Sequence, residues 1–171
     1  MTQIKKFSQL YDTFEDRMAW DTEDMEGAPT RLWLTQRLCK GLAGAIVSML
    51  TKGHQAPSGQ ESVLQSWEQV AAMAEFGSTP PVVPHDGMVT GLVKAVHMSP
   101  AEKGVSMTFE LHGTEKGDGE TRTVGLSFQA VRQMLSVMHR LHAAAGWPMD
   151  FWPDWVADPN ATATSHAETI N

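Results

Sequence analysis

The stretch Thr30–Leu50, TRLWLTQRLCKGLAGAIVSML, changes from strand-like to helix-like sequence within a few residues. Leu32 and Leu34 alternate with residues expected to point outward, which is typical of a strand with one buried face. Thr35 follows, and its hydroxyl can accept a hydrogen bond from a backbone N–H in the first turn of a helix. The stretch therefore predicts a strand that ends at Leu34 and a helix that begins directly after Thr35.

Apolar residues then recur at spacings of three and four, which predicts an amphipathic helix that ends near Lys52. The predicted apolar stripe consists of Leu38, Leu42, Ala45, Ile46 and Met49. Gly41 and Gly44 lie inside this helix, and each costs about 1 kcal/mol of helix stability relative to Ala. They are expected to mark a place where another backbone packs closely.

The same pattern of strand, capping residue and helix occurs again at Leu126 and Ser127. The second helix also has an apolar stripe, and it ends near Gly146. One interpretation is that the chain contains two similar hairpin–helix units packed around one core. The other is that every transition from a strand to a helix has this appearance.

The rest of the chain predicts one further helix and four further strands. Ser58 and Glu61 have capping-box spacing. They precede a helix whose apolar side is formed by Val63, Leu64, Trp67, Val70, Ala71 and Ala74. Alternating or apolar runs predict strands at residues 13–20, 88–98, 105–111 and 121–126, in addition to 30–34.

These elements predict an α+β fold in the order ββααβββα. We expect an antiparallel sheet of about five strands, an αα-hairpin insertion, and a C-terminal amphipathic helix packed on one face of the sheet. Residues 1–146 are expected to form a single α+β domain, followed by an aromatic strap at 147–158. The polar residues 159–171 predict a disordered tail.

Composition narrows the class of protein. The net charge is −7 and basic residues are scattered, which argues against nucleic acid or an anionic membrane as the main partner. Cys39 is the only cysteine, so an intramolecular disulfide is excluded. No secretory signal is visible at the N-terminus, and no apolar run approaches about 18 residues, so a cytoplasmic location is expected.

Few residues suggest catalysis or a bound metal. His139 and His142 are three residues apart on the last helix and are weak candidates for metal ligands, with an ordinary helix face as the alternative. His85 and Asp86 form a catalytic-looking pair on a loop. Cys39 is expected to be a buried thiol rather than a nucleophile. The sequence predicts no cofactor.

Aromatic residues are the stronger signal. The chain has eleven methionines and six tryptophans, and both residue types are common at contact surfaces. Trp33 is expected on the opposite side of its strand from Leu32 and Leu34, where it could bind a partner. The strap residues could either complete the core or dock on another protein; they are Trp147, Phe151, Trp152 and Trp155.

These observations favour a non-catalytic protein-interaction or assembly module, which could be homodimeric. The expected partner is another protein or a second copy of the chain. The alternative is a protein or enzyme that binds a small ligand or a metal in a pocket between sheet and helices. That alternative would use His85, Asp86, His139 or His142.

Overall fold

The computed structural model describes residues 1–52, 60–77, 79–113 and 119–161. These residues form two units: the first comprises the described parts of 1–39 and 78–128, the second those of 40–77 and 129–171. The first contains the strands and the second most of the helical residues, so the predicted α+β class is confirmed. The predicted domain boundary after residue 146 stays a prediction, and residues 162–171 of the predicted tail lie outside the described residues.

The described residues contain ten elements, which follow one another along the chain. The strands are β1 (Thr2–Asp12), β2 (Arg17–Asp24), β3 (Pro29–Leu34), β4 (Val89–Ala101), β5 (Gly104–His112) and β6 (Glu120–Ser127). The helices are α1 (Gln36–Lys52), α2 (Glu61–Ala74), α3 (Phe128–Ala144) and α4 (Asp154–Ala157). None of the helices in the described residues is long and apolar enough to cross a membrane.

The six strands form one closed barrel. β1, β2 and β3 make an antiparallel meander, as do β4, β5 and β6. Parallel pairing of β3 with β4 and of β1 with β6 closes the ring. The prediction of a purely antiparallel sheet of about five strands is therefore wrong, and the packing of helices on one face of the sheet stays a prediction.

The strand missing from the prediction is β1. Its register with β2 shifts between Ile4 and Lys6, so a bulge interrupts the alternation of inward and outward residues. The interruption hides the period of two by which a strand is recognised in a sequence. β1 is nevertheless essential to the fold, because it closes the barrel against β6.

The first predicted strand, residues 13–20, begins too early. Residues 13–16 form a turn, in which the Asp12 carboxylate accepts hydrogen bonds from the backbone N–H groups of Phe14 and Glu15, both at 3.0 Å. Asp16 has a φ of 49°, which a turn accommodates and a strand does not. Short polar side chains at a strand end thus override the weak alternation in the sequence.

Large apolar side chains fill the barrel. Trp20 on β2 is fully buried; its ring stacks on Phe7 at 5.0 Å and meets the edge of Phe109 at 5.2 Å. Leu32 and Leu34 are also fully buried, as predicted. The predicted alternation of β5 is confirmed, since its buried side chains are Val105, Met107, Phe109 and Leu111.

The two meanders share several features. Each has a register shift in the first half of its first strand, between Ile4 and Lys6 in β1 and between Val93 and Ala95 in β4. Each also carries an ion pair between its first two strands, Lys5–Glu23 and Lys94–Glu110. A 17-residue helix follows each meander. The repeated strand-to-helix pattern therefore occurs both times at the end of a three-stranded meander rather than of a hairpin, and an internal duplication stays a prediction.

The helix start predicted at Thr35 is confirmed, because its Oγ1 accepts a hydrogen bond from the Leu38 N–H at 3.3 Å. The buried side of α1 is rotated from the predicted stripe: Ala45 is exposed, whereas Cys39, Ala43 and Leu50 are buried. Ser58 and the predicted connection between α1 and α2 lie outside the described residues. Gln65 of α2 donates to the Leu50 carbonyl at 3.1 Å, which ties α2 to the last turns of α1.

Candidate functional site

Helix α2 turns its polar side inward. Its apolar residues had been expected to lie together on one packing face, but most of them are exposed or half-buried. The buried residues of the helix are Val63, Gln65, Ser66, Gln69 and Ala72. A helix normally buries its apolar stripe, so this arrangement requires specific polar partners on the inner side.

Arg132 of α3 supplies those partners. It is 3% exposed, and its Nη2 donates to Gln65 Oε1 at 2.6 Å and to the Glu68 carboxylate. Its guanidinium also lies 5.4 Å from the centre of the Trp155 ring. Burial lowers the pKa of Arg132, an effect that the Glu68 charge opposes. A buried cation of this kind holds its neighbours in place, since none of them can move without leaving it unpaired.

Further hydrogen bonds extend this network along the same two helices. Gln69 Nε2 donates to the Arg132 carbonyl at 3.0 Å and to Ser136 Oγ at 2.6 Å. Gln133 Nε2 donates to the Ala72 carbonyl at 2.8 Å. The side of α3 that carries Arg132, Gln133 and Ser136 is therefore covered by the polar side of α2.

The opposite side of α2 is apolar and faces outward. Trp67 is 58% exposed, Ala71 and Ala74 are exposed, and Leu64 is half-buried. These four residues follow a spacing of three and four, so they form a single stripe, which we call the α2 outer face. One edge of the stripe is acidic, with Glu61, Glu68 and Glu75 at successive intervals of two turns.

Helix α1 carries a second uncovered face, formed by small residues. Gly41, Gly44 and Ala45 are exposed, and a Cβ atom added at either glycine would meet no atom within 4 Å. Arg37 and Lys52, both exposed, lie near the two ends of this stripe, which we call the α1 glycine face. The close backbone contact that the glycines predicted is not made by the described residues of the chain.

The strap folds back within the second unit. Trp147, Trp152 and Trp155 are buried, and Phe151 is half-buried with Lys40 Nζ 5.1 Å from its ring centre. This burial favours the core interpretation of the strap over the docking interpretation. Partner binding by these four residues stays a prediction.

His142 lies at the centre of the strap contacts. Its ring is fully buried and lies 5.0, 5.8 and 5.2 Å from the rings of Trp147, Phe151 and Trp152. Nδ1 is 2.9 Å from the Met138 carbonyl and therefore carries the proton of the neutral ring, while Nε2 has no hydrogen-bond partner among the described residues. Burial is the main cause of the lowered pKa of His142.

His139, the other weak metal candidate, packs edge-on against Trp152 at 5.2 Å, and burial lowers its pKa as well. Within the part of the chain that the structure describes, no group of three His, Cys, Asp or Glu side chains could hold a metal ion. The structure thus places both histidines among aromatic rings rather than among further ligands.

Trp33 is half-buried on the outer side of β3. The Arg31 guanidinium lies 5.2 Å from its ring centre and makes two hydrogen bonds to the buried Asp21 carboxylate, at 2.6 and 2.8 Å. Arg31 therefore holds one side of the indole in place. A partner-binding role for Trp33 stays a prediction.

The remaining candidate residues are His85, Asp86 and Cys39. His85 and Asp86 are exposed, and His85 Nδ1 lies 2.9 Å from the Asp86 backbone carbonyl rather than from its carboxylate. Cys39 is buried, and burial raises the pKa of its thiol to about 12, so it is uncharged at neutral pH. The ligand-binding or enzymatic alternative stays a prediction.

Sequence reasoning missed the orientation of α2, although the sequence contains a signal for it. Gln65, Ser66 and Gln69 carry uncharged polar groups, which can be buried when partners are available, whereas the residues beside Trp67 on the edge of the outer face are glutamates. The partner, Arg132, is far away in the sequence and its role becomes visible only in the fold. No protein family model and no curated protein matches this sequence.

Proposed function

We propose that this protein is a non-catalytic interaction module that acts by self-association, and that it binds through the α2 outer face. The observation that carries the proposal is Trp67, which is 58% exposed in the middle of an apolar stripe on a helix whose polar side is buried. Tryptophan is the residue type most enriched at the energetic centres of protein interfaces.

The stripe is large enough to matter energetically. A Trp side chain buries roughly 150–250 Å², so covering the exposed part of Trp67 would contribute roughly 2–4 kcal/mol at about 25 cal/mol per Å². Leu64, Ala71 and Ala74 extend the apolar surface on both sides. The acidic edge gives the surface a polar rim, as interfaces that form and dissociate usually have.

The Arg132 network supports a docking role because it fixes which side of α2 faces outward. Turning Trp67 inward would turn Gln65 and Gln69 out and leave Arg132 buried without its hydrogen bonds. The exposure of the stripe is therefore built into the packing of the unit. We favour a second copy over a different protein because the chain carries a surface of opposite charge on α1.

Sedimentation equilibrium over a wide concentration range tests this proposal. We expect the native chain to associate reversibly and Trp67→Ser to raise the dissociation constant at least tenfold. Phe14→Ser is the matched control, because Phe14 is 94% exposed on the turn between β1 and β2 and should not affect association. A native chain that stays monomeric at all concentrations, or a Trp67→Ser variant that associates normally, would contradict the proposal.

A further inference from the structure

We infer that the α2 outer face of one copy packs on the α1 glycine face of another copy. This inference rests on the proposed self-association and adds the surface that receives α2. The two faces match in shape, in charge and in length. A closed dimer would use the contact twice, with each copy offering its α2 and receiving the α2 of the other.

The shapes of the two faces are complementary. The α2 outer face projects one large exposed side chain, Trp67, with the half-buried Leu64 on one side and the small Ala71 and Ala74 on the other. The α1 glycine face has no Cβ atom at Gly41 or Gly44, and the neighbouring Ala45 carries only a methyl group. A helix with such a groove lets a second helix approach closely and receive a large side chain.

The two glycines have a cost that no contact within the described residues offsets. Each lowers the stability of a helix by about 1 kcal/mol relative to Ala, and neither is in a position that needs a positive φ. Among the described residues, no atom outside the backbone of α1 lies within 4 Å of where their Cβ atoms would be. A close contact with another molecule accounts for both glycines.

The charges on the two helices are opposite. α1 contains Arg37, Lys40 and Lys52 and no acidic residue, and α2 contains Glu61 and Glu68 and no basic residue, with Glu75 directly after it. The charge of Glu68 is already paired with Arg132, whereas Glu75 accepts a hydrogen bond only from the uncharged Gln129, at 2.7 Å. The contact would therefore pair the charges at the helix ends, Arg37 and Lys52 with Glu61 and Glu75.

The lengths of the charged rows also agree. At a rise of 1.5 Å per residue, Arg37 and Lys52 lie about 22 Å apart along α1, and Glu61 and Glu75 lie about 21 Å apart along α2. An alternative pairing of α2 with α2 of the second copy would bring glutamate-lined edges together, which like charges disfavour.

Within one copy, α2 already packs on the corresponding side of α3. Counted from Thr35 and Ser127, Gly41 and Gly44 of α1 occupy the positions of Gln133 and Ser136 on α3. That side of α3 is covered by the polar side of α2. Among the described residues, the same position on α1 is exposed, and the inferred contact places the apolar side of α2 from a second copy there.

A charge-exchange experiment tests the pairing. One variant carries Glu61→Lys and Glu75→Lys, and the other carries Arg37→Glu and Lys52→Glu. Alone, each variant would place like charges at both contacts of a dimer, so we expect association at least tenfold weaker than that of the native chain at low salt. Mixed in equal amounts, the two variants form both contacts with opposite charges, and native-like association should return.

Disulfide trapping locates the contact. Ala45→Cys and Ala71→Cys variants, both with Cys39→Ala, are oxidised separately and as a mixture, with Phe14→Cys as the control partner. A disulfide-linked dimer that forms only in the mixture of the Ala45 and Ala71 variants supports the inference. Linkage of Ala71→Cys to itself would overturn it and leave self-association through α2 standing.

The remaining outcomes are also decisive. The native chain could associate while the Ala45 and Ala71 variants are trapped no more than the Phe14→Cys control. It could also associate while the charge-exchange mixture shows no recovery. Either result places the contact elsewhere and overturns the inference. Absence of any association of the native chain in sedimentation overturns the proposed function itself, and the inference with it.

Discussion

Helices α1 and α3 each follow a three-stranded meander, but within the described residues only α3 has the side that begins at its fifth residue covered by α2. Each is 17 residues long and begins where a three-stranded meander ends. On α3, Arg132 and Gln133 bond to α2, whereas on α1 the residues at the same positions, Lys40 and Gly41, are exposed. Two helices at corresponding positions after their meanders thus differ in this face: the α3 residues bond to α2, whereas the α1 residues are exposed among the described residues.

The difference shows what decides which side of α2 is buried. Apolar periodicity alone would bury Trp67, but the inner side of α2 is selected by hydrogen bonds to a buried arginine. α1 offers no such group, because Lys40 lies against Phe151 instead. The hydrogen bonds between the polar side of α2 and Arg132 thus leave the apolar side of α2 exposed.

Of the variants considered, the removal of Arg132 should lower the free energy of unfolding most. Arg132→Met leaves Gln65, Gln69 and Glu68 without the cation they surround, and we expect the free energy of unfolding to fall by about 3–5 kcal/mol. Arg140→Met on the exposed side of the same helix is the control and should cost less than about 0.5 kcal/mol. Urea unfolding of both variants measures the effect. A loss below 1 kcal/mol for Arg132→Met would show that the network does not hold α2.

The strap gives a second contrast, between a buried and an exposed tryptophan. Trp152→Ala removes a ring that packs on His139, His142 and Phe151, and a loss of about 3 kcal/mol is expected. Trp67→Ala should cost less than about 1 kcal/mol in the monomer, because the side chain is mostly exposed. Thermal and urea unfolding at low protein concentration compare the two. Equal losses would mean that the strap is no more part of the core than the α2 outer face.

His142 on α3 should make the stability of the chain depend on pH, and this effect should be smaller than the two losses above. The position of His142 on α3 is that of the buried Leu50 on α1. Burial lowers the pKa of His142 in the folded chain, so the unfolded chain binds a proton more readily and stability falls as the pH drops through about 6.5. His139, whose pKa is also lowered, contributes in the same direction.

His142→Leu copies the residue that α1 uses at this position, and it should reduce the loss of melting temperature between pH 7.5 and pH 5. The measurement is a series of thermal melts across that range for the native chain and the variant. A variant whose melting temperature depends on pH as strongly as that of the native chain would assign the effect to other groups.

Much of the fold could be predicted from the sequence, because local signals carry it. Thr35 caps α1 as its position indicated, and the alternation of Val105, Met107, Phe109 and Leu111 gave the correct buried face of β5. β1 was missed because a bulge interrupts its period. Barrel closure depends on the pairing of β1 with β6, which are far apart in the sequence, and no local pattern reports such a pairing.

The candidate site was harder to predict. The aromatic residues that drew attention, Trp147, Trp152 and Trp155, are buried, while Trp67 was assigned to the packing side of its helix. The error has one physical cause: the choice between the two sides of α2 depends on Arg132, 63 residues from Gln69 along the chain. Such a long-range partner changes which side of an amphipathic helix is buried.

The most direct test of the account is the double variant Gly41→Ala, Gly44→Ala, measured both as a monomer and in association. In the monomer at low concentration, two alanines in open positions should raise the free energy of unfolding by about 2 kcal/mol. In sedimentation equilibrium, the same methyl groups should obstruct the approach of α2 from a second copy and raise the dissociation constant at least tenfold. A variant that is more stable and still associates like the native chain would show that the α1 glycine face is not the receiving surface.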